Sequence, residues 1–303
     1  MADGVVIVNK EEGITSFAVV NRIKRLFGVK KAGHTGTLDP LATGVLPVLI
    51  GRAVKASEYM LSSDKHYRAT LLLGITTDTE DITGRVLSRS ESLPSDEDTV
   101  RCAMGFVGEY MQTPPMYSAL KVGGRKLYEL ARAGEEIARE PRPVKIHSLS
   151  VTPLGGGEYT LEVHCSKGTY IRTLCADIGR ALGAGGVMKT LCRASASGFE
   201  LNEAHTLSEL EAMSEEERLC AVVPTERIFS DKKGVELSPF FARLARCGLE
   251  IYLNKIGISL PIGERVRLAD EGGFFALGEV REFDGGLAIK PIKQFFSEGE
   301  RNA

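Results

Sequence analysis

Apolar residues recur along this chain with two periods, one typical of β-strands and the other typical of α-helices. Continuous apolar runs at residues 5–8 and 45–50 predict buried strands, and residues 65–73 begin a longer strand. Apolar and polar side chains alternate strictly over residues 159–165, which predicts a strand with one buried face. These segments together predict a sheet in the larger, N-terminal part of the chain.

Helical spacing appears between these strands. Thr15 or Ser16 can cap a first helix, whose apolar residues follow at intervals of three or four: Phe17, Val20, Ile23 and Phe27. A later apolar stripe with the same spacing comprises Ile171, Leu174, Cys175, Ile178 and Leu182. Arg172 lies off that stripe in the first helical turn, where the helix dipole does not favour a cation. We therefore expect another group to hold Arg172 in place.

The composition changes near residues 230–234, where charged residues precede a glycine. Beyond this point, turn sequences at residues 270–273 and 284–286 separate short strand-like runs. We therefore place a linker there and expect two domains, residues 1–230 and a small β-rich domain at residues 234–303.

Charge and cysteine usage narrow the possible functions. The chain has 38 basic and 40 acidic residues, a net charge of −2, which argues against a generally basic protein that coats nucleic acid but allows a local basic face. The six cysteines stand singly, without the spacing of a zinc site, and fit a reducing cytosol. The chain shows neither a signal-peptide pattern nor an apolar run that could cross a membrane. We expect a cytoplasmic protein without a metal or a membrane partner.

Residues 33–44, GHTGTLDPLATG, differ in composition from the rest of the chain. Glycine and proline disfavour a packed helix or strand, but they suit a loop that holds the carboxylate of Asp39 and lets a ligand approach closely. An aspartate before a proline is common in ordinary turns, so the loop alone does not define a site. It also differs from the phosphorylated loop of haloacid dehalogenases, because Gly33 occupies the position of their nucleophile, and it lacks a P-loop lysine.

Four segments considered together identify a family. They are GHTGTLDPLATG at residues 33–44, KHYR at 65–68, PMYSALK at 115–121 and SKGTYIR at 166–172. In this order they closely resemble the TruB family of bacterial tRNA pseudouridine synthases, which act on uridine 55 of the T-arm. The resemblance extends from Val5 to about Phe199. The tail is similar to the short PUA-type RNA-binding module of the same family.

The resemblance implies catalytic roles for three residues. Asp39 matches the catalytic aspartate, Tyr67 matches the tyrosine that stacks on the target base and could take part in proton removal, and Arg172 matches the arginine that pairs with the aspartate. The resemblance also implies the family's α/β fold, a mixed, largely antiparallel sheet with flanking helices, and chemistry without a cofactor. A carboxylate suits this chemistry because it can bond transiently to the substrate and then release it.

Four further residues match substrate-binding positions of the family. His34 matches the histidine that enters the T-loop when the base leaves the stack, Tyr170 and Leu191 match residues around the uracil, and Lys10 matches a lysine near the pocket. The family usually has a proline after that lysine, whereas this chain has Glu11. Flipping the uridine costs roughly a few kcal/mol, which stacking and edge hydrogen bonds offset.

Two basic clusters are candidate contacts to RNA phosphates. One lies on the first helix and the other lies in an RNA-binding insertion around residues 110–140; their members are Arg22, Lys24, Arg25, Lys121, Arg125 and Lys126. For any single member, an ordinary solvated side chain is an equally good interpretation.

We therefore expect a monomeric isomerase that acts on the T-arm of tRNA without a guide RNA or a protein partner. Two alternatives remain open. An RNA-guided synthase of the dyskerin type would need partner proteins and carry a larger tail. An RNA-folding chaperone would bind tRNA through the same pocket without performing chemistry.

Overall fold

The computed structural model describes residues 2–61 and 63–296. Its strands are β1 (Gly4–Lys10), β2 (Ala32–His34), β3 (Thr43–Ile50), β4 (Lys65–Leu73), β5 (Ile75–Thr77), β6 (Val86–Arg89), β7 (Gly108–Gln112), β8 (Lys121–Val122), β9 (Arg125–Lys126), β10 (Arg142–Gly155), β11 (Glu158–Cys165), β12 (Gly186–Ala196), β13 (Phe199–Glu200), β14 (Val222–Val223), β15 (Lys233–Glu236), β16 (Ile251–Tyr252), β17 (Arg265–Asp270), β18 (Gly273–Phe283) and β19 (Gly286–Gln294). Its helices are α1 (Ser16–Leu26), α2 (Ser57–Leu61), α3 (Asp96–Met104), α4 (Leu127–Arg132), α5 (Ile171–Ala181), α6 (Leu207–Ala212), α7 (Glu215–Cys220) and α8 (Pro239–Arg246).

A ten-stranded sheet forms the larger part of the structure. Eight of its strands follow the order β14-β1-β3-β12-β4-β11-β10-β7, while β2 pairs with β3 and β13 pairs with β12. Neighbouring strands are antiparallel except for β3 and β12, which run parallel. Helices α1, α3 and α5 contribute to one core on a face of this sheet. The prediction of a mixed, largely antiparallel sheet with flanking helices is confirmed.

The alternating strand β11 pairs with β4 and shows how the pattern fixes side-chain directions. Tyr67 of β4 is the cross-strand partner of Val163, and Ala69 is the partner of Leu161. All four side chains belong to the buried core, and such cross-strand apolar pairs stabilise a sheet. The direction of the Tyr67 side chain is therefore set by the strand rather than by a loop.

Helix α1 begins as the sequence predicts, and it turns Val20 and Ile23 of the predicted apolar face to the core but not Phe17. The Thr15 hydroxyl accepts a hydrogen bond from the Ala18 N–H at 3.1 Å, so this cap is confirmed. The residues that the helix buries are Ser16, Val19, Val20 and Ile23. Phe17 is 71% exposed, so its predicted place on the apolar face is wrong. The core-facing position belongs to Ser16, because that hydroxyl binds the backbone of the neighbouring loop.

A second, five-stranded sheet follows the predicted linker in the order β15-β17-β18-β19-β16, and α8 packs on its core. A separate apolar cluster joins the two sheets, with Val5 and Phe229 on one side and Leu277 and Phe295 on the other. The predicted linker is thus a turn between two packed units. The division of function between residues 1–230 and 234–303 stays a prediction.

Candidate active site

The loop that carries Asp39 joins β2 to β3, and hydrogen bonds fix it on both sides of the aspartate. The Ser16 hydroxyl donates to the Leu38 carbonyl at 3.0 Å and accepts from the Leu38 N–H at 2.9 Å. The Ala42 N–H donates to the Asp39 carbonyl at 3.1 Å and closes the turn. The backbone is therefore held in place, while 35% of the Asp39 side chain stays exposed.

Lys10, at the end of β1, holds the same loop from another direction. It is fully buried, and its Nζ donates to the carbonyls of Pro40 at 3.1 Å and Glu11 at 2.8 Å. Burial lowers the pKa of Lys10 to about 8, and the Asp39 carboxylate opposes that shift. The carbonyl of residue 11 is a backbone group that every residue carries. Glu11 in place of the expected proline is therefore compatible with its contact to Lys10.

Asp39 and Arg172 form an ion pair at the start of α5. The Arg172 Nε donates to one carboxylate oxygen at 2.8 Å, and Nη2 donates to the other at 3.3 Å. Arg172 is only 4% exposed. A two-point, charge-assisted contact of this kind fixes both the position and the direction of a carboxylate. The group that holds Arg172 in the first helical turn is therefore Asp39.

Three further groups surround the Arg172 guanidinium. Nη1 donates to the Thr79 carbonyl at 2.9 Å, and Nη2 donates to the Tyr117 carbonyl at 2.7 Å. An Asp81 carboxylate oxygen lies 3.9 Å from Nε, and the Thr83 hydroxyl donates to Asp81 at 2.6 Å. Asp81 was not predicted from the sequence, although it ends a polar run at residues 76–81 that was the available signal.

Glu80 connects this polar run to α5 through a side-chain hydrogen bond. Its carboxylate accepts a hydrogen bond from the Thr173 hydroxyl at 2.6 Å, and burial raises the pKa of Glu80. The Glu80 backbone has a φ of +64°, a left-handed conformation that is uncommon outside glycine. The residues on both sides of Glu80 face Arg172, so this turn brings their polar groups to the guanidinium.

Tyr67 and Leu191 lie on the buried face of adjacent strands. In the pairing of β4 with β12, Leu191 is the partner of Ala69, and Arg193 is the partner of Tyr67. Burial raises the pKa of the Tyr67 phenol, which is therefore protonated at neutral pH. Leu191 also lines a cavity of about 330 Å³ with Leu41 and Thr43, but Arg68 and Thr70 on the opposite face of β4 line it too, and Asp39 and Tyr67 do not.

Tyr170, directly before α5, is held by a buried glutamine. Gln112 accepts from the Tyr170 N–H at 2.8 Å and donates to the Tyr170 carbonyl at 3.0 Å. It thereby supplies hydrogen bonds at a helix start where Tyr170 itself makes no side-chain cap. The Arg142 guanidinium lies 5.3 Å from the centre of the Tyr170 ring. Gln112 was not predicted from the sequence, because the prolines of residues 112–115 indicated only an extended chain.

His34 ends β2, before the turn that carries Asp39. It is half-buried, and its buried Nδ1 has no hydrogen-bond partner among the residues that the structure describes. Burial lowers the pKa of His34, so the imidazole is neutral at pH 7. A neutral ring can stack against a base without the cost of dehydrating a charge.

Carboxylates already contact two of the six basic RNA candidates. Glu211 binds Arg22 through both carboxylate oxygens, one of them at 2.8 Å, and Glu135 lies 3.3 Å from Arg125. The remaining candidates are Lys24, Arg25, Lys121 and Lys126. The second cluster lies on a hairpin of β8 and β9 followed by α4. Exposed ion pairs of this kind are weak, so a phosphate can replace the carboxylate.

The described part of the chain holds neither a metal-ligating cluster nor a membrane-spanning helix. Within residues 2–61 and 63–296, no three His, Cys, Asp or Glu side chains form a group that could hold a metal ion. No helix in these ranges is long and apolar enough to cross a membrane. All six cysteines are unpaired.

Family models and relatives agree with the four-segment resemblance. Residues 24–171 match the N-terminal domain of TruB family pseudouridylate synthases, and residues 172–230 match the tRNA pseudouridylate synthase B C-terminal domain. The chain is 42% identical over 284 residues to the tRNA pseudouridine synthase B of Alkaliphilus oremlandii, covering 93% of this chain and 94% of that protein. It is 41% identical over 293 residues to the protein of the same name from Aromatoleum aromaticum, covering 96% and 92%.

Solved structures share the fold. A chain of a Cbf5-Nop10-Gar1 complex matches with a TM-score of 0.74 at 25% identity, covering 100% of this chain and 88% of that chain. A chain of an H/ACA RNP bound to a substrate RNA matches with a TM-score of 0.72 at 23% identity, which supports the fold alone. The family resemblance predicted from the sequence is confirmed. This chain belongs to the TruB family of pseudouridylate synthases.

Proposed function

We propose that this protein isomerises uridine 55 in the T-loop of tRNA to pseudouridine, with Asp39 as the catalytic group. The observation that carries the proposal is the state of the Asp39 carboxylate. A buried arginine holds it by two oxygens, yet about a third of the side chain stays exposed, so it is both fixed and accessible. The relatives named tRNA pseudouridine synthase B support the substrate class.

The reaction breaks the N1–C1′ glycosidic bond and forms a C5–C1′ bond. The proton on C5 leaves to solvent, and N1 of the turned uracil gains a proton. Asp39 can add to C6 of the base, attack C1′ of the ribose or promote a glycal intermediate, and each route uses a carboxylate that bonds transiently and then leaves. Arg172 aims this carboxylate at the nucleotide in all three routes.

The neighbouring side chains supply the rest of the pocket. Flipping the uridine out of the T-loop costs roughly a few kcal/mol, and the Tyr67 ring recovers about 1–3 kcal/mol by stacking on the base. The Tyr67 hydroxyl is a candidate for handling the C5 proton. Tyr170 and Leu191 enclose the uracil, and His34 enters the T-loop where the base was.

Binding the T-arm would use shape and phosphate contacts, as RNA recognition commonly does. The basic residues of α1 and of the insertion around residues 110–140 are candidate phosphate contacts, and residues 234–303 would act as a PUA-like RNA-binding module. We propose that the protein works as a monomer, without guide RNA or a protein partner, in the cytosol. The unpaired cysteines are consistent with a reducing compartment.

The direct test replaces Asp39 with asparagine, which keeps the volume and removes the charge. Because C5 loses its hydrogen, tritium release from unmodified tRNA labelled at uridine C5 measures the reaction. We expect Asp39→Asn to abolish release while tRNA binding persists. A transcript with cytidine at position 55 is the substrate control. Substantial release by the variant would contradict the role of Asp39.

The same assay separates the two alternatives. Wild-type protein mixed with tRNA alone should form pseudouridine, whereas a guide-dependent enzyme would require added RNA and partner proteins. A chaperone without chemistry would bind and refold tRNA but release no tritium. Either result would contradict the proposed function.

A further inference from the structure

A fully buried arginine lies between the Asp39 loop and Tyr67, and the sequence analysis did not select it. Arg193, in β12, is 1% exposed. Its backbone partner on β3 is Gly44, and its backbone partner on β4 is Tyr67. Arg193 therefore stands between the strand that follows the Asp39 loop and the strand that carries the tyrosine.

The guanidinium of Arg193 joins the two ends of the Asp39 loop. Its Nε donates to the Val45 carbonyl at 2.7 Å, and its Nη2 donates to the Gly36 carbonyl at 3.1 Å. Gly36 precedes Asp39 in the sequence and Val45 follows it. One planar guanidinium thus binds the backbone on both sides of Asp39, which limits how far Asp39 can move.

Two glycines of the loop lie next to Arg193. Gly44 has a φ of +100°, and a Cβ there would lie 2.3 Å from the Arg193 carbonyl oxygen. Gly36 has a φ of +108°, and a Cβ there would lie 3.4 Å from Nη1 of Arg193. Both conformations favour glycine. Gly44 therefore lets the backbone of β12 approach the loop closely, whereas a Cβ at Gly36 would make only an ordinary contact with the guanidinium.

The charge of Arg193 is unusual for a core residue. No carboxylate in the described part of the chain lies within 4 Å of it, and its hydrogen-bonded acceptors are neutral carbonyls. Arg193 and Tyr67 are cross-strand partners, so their side chains lie on the same face of the sheet, and the guanidinium lowers the pKa of the Tyr67 phenol against the effect of burial. It also lowers the pKa values of His34 and Lys10. An unpaired buried charge costs stability, so packing alone does not account for this residue.

We propose that Arg193 is a positioning residue for the isomerisation, which holds the Asp39 loop and the Tyr67 hydroxyl in one fixed arrangement. This inference rests on the proposed function. Asp39 and Tyr67 come from separate parts of the chain and act on the same flipped uracil. Arg193 is buried, binds the Asp39 loop through two hydrogen bonds and is the cross-strand partner of Tyr67, so its effect on the reaction passes through these two groups.

Two substitutions test the role. Arg193→Met removes the charge and the donors with little loss of volume, and Arg193→Lys keeps the charge but offers a single ammonium. In single-turnover assays on saturating tRNA, we expect Arg193→Met to lower the rate constant about 100-fold, the loss associated with a displacement of roughly 1 Å in a catalytic group. The Kd for tRNA should stay within about threefold, because Arg193 does not reach the RNA.

A double-mutant cycle with Tyr67→Phe separates positioning from general loss of stability. If Arg193 acts through Tyr67, the combined loss of rate is smaller than the product of the single losses. Arg101→Met, on the exposed side of α3, is the matched control and should keep the wild-type rate.

Two results would overturn the inference. One is a folded Arg193→Met variant with a rate within about threefold of wild type; the other is a multiplicative loss with Tyr67→Phe. If the methionine variant does not fold, Arg193→Lys decides by the same two measurements. A failure of the proposed function differs from both results, because wild-type protein would then form no pseudouridine.

Discussion

Replacing Arg172 with lysine shows how much of the site depends on guanidinium geometry rather than on positive charge. The guanidinium donates to both oxygens of Asp39 and to the carbonyls of Thr79 and Tyr117, over distances of 2.7 to 3.3 Å. A lysine ends in one compact ammonium, which cannot reach all four acceptors. We expect Asp39 to keep one contact at most and at least one carbonyl to lose its donor.

The magnitude follows from these lost hydrogen bonds. A buried acceptor that loses its donor costs about 1–3 kcal/mol, and the lysine recovers part of that cost. We expect the free energy of unfolding to fall by about 3 kcal/mol, which corresponds to a decrease of roughly 6–12 °C in Tm. Because Asp39 is then free to turn away from the nucleotide, the single-turnover rate constant should fall about 100-fold or more.

Thermal unfolding followed by circular dichroism and tritium release under single-turnover conditions measure the two effects. Arg180→Lys is the matched control, because Arg180 lies on the same helix, is exposed and pairs with Asp177 at the surface. It should change neither quantity appreciably. An Arg172→Lys enzyme with an unchanged Tm and a rate within about threefold of wild type would refute the reasoning, since charge alone would then suffice.

Replacing Gln112 with leucine removes both hydrogen bonds to Tyr170 and should lower the single-turnover rate on saturating tRNA about tenfold; an unchanged rate would show that the Tyr170 backbone holds its place without them. Lys10 binds fewer protons in the folded than in the unfolded protein between its folded pKa of about 8 and its ordinary pKa of 10.5. The free energy of unfolding of the wild-type protein should therefore rise with pH in this window relative to that of Lys10→Met, by on the order of 1 kcal/mol per pH unit. Thermal melts of both proteins across the window measure this difference, and the same pH dependence in both would contradict the prediction. Deleting the chain from Gly234 onward should weaken tRNA binding more than chemistry on saturating tRNA, and should lower Tm because it uncovers Phe229; normal binding by the truncated protein would contradict this.

Local patterns predicted the secondary structure because each element depends on neighbouring residues. The observed strand β4 has the predicted bounds, and β11 buries the alternate residues that the pattern selects. Ser95 caps α3, as Thr15 caps α1, through a side-chain contact with an N–H three residues later. Phe17 is the exception, because the nearby Asp39 loop decides which face of α1 is covered.

Motif resemblance selected Asp39 and Arg172, and the structure brings them into contact. It did not select the groups that hold the site residues: the carbonyls of Thr79 and Tyr117 bind Arg172, and the side chain of Gln112 binds Tyr170. A backbone carbonyl has no sequence signature, since every residue carries one. A single glutamine before a proline-rich segment indicates no more than a polar residue at a strand end.

The sequence by itself predicted several strands, the cap of the first helix and the family, and it marked Asp39 as the candidate catalytic carboxylate, because these depend on local spacing or on short motifs. The tertiary structure alone decided what surrounds that carboxylate. Arg172 reaches Asp39 across 133 residues of sequence, and Arg193 reaches Gly36 across 157. Contacts over such separations depend on strand order and register, which no local pattern specifies. The glycines of the Asp39 loop illustrate the difference: their composition marked the loop, but only the packed sheet showed that Gly44 lies against the backbone of β12, where a Cβ would not fit.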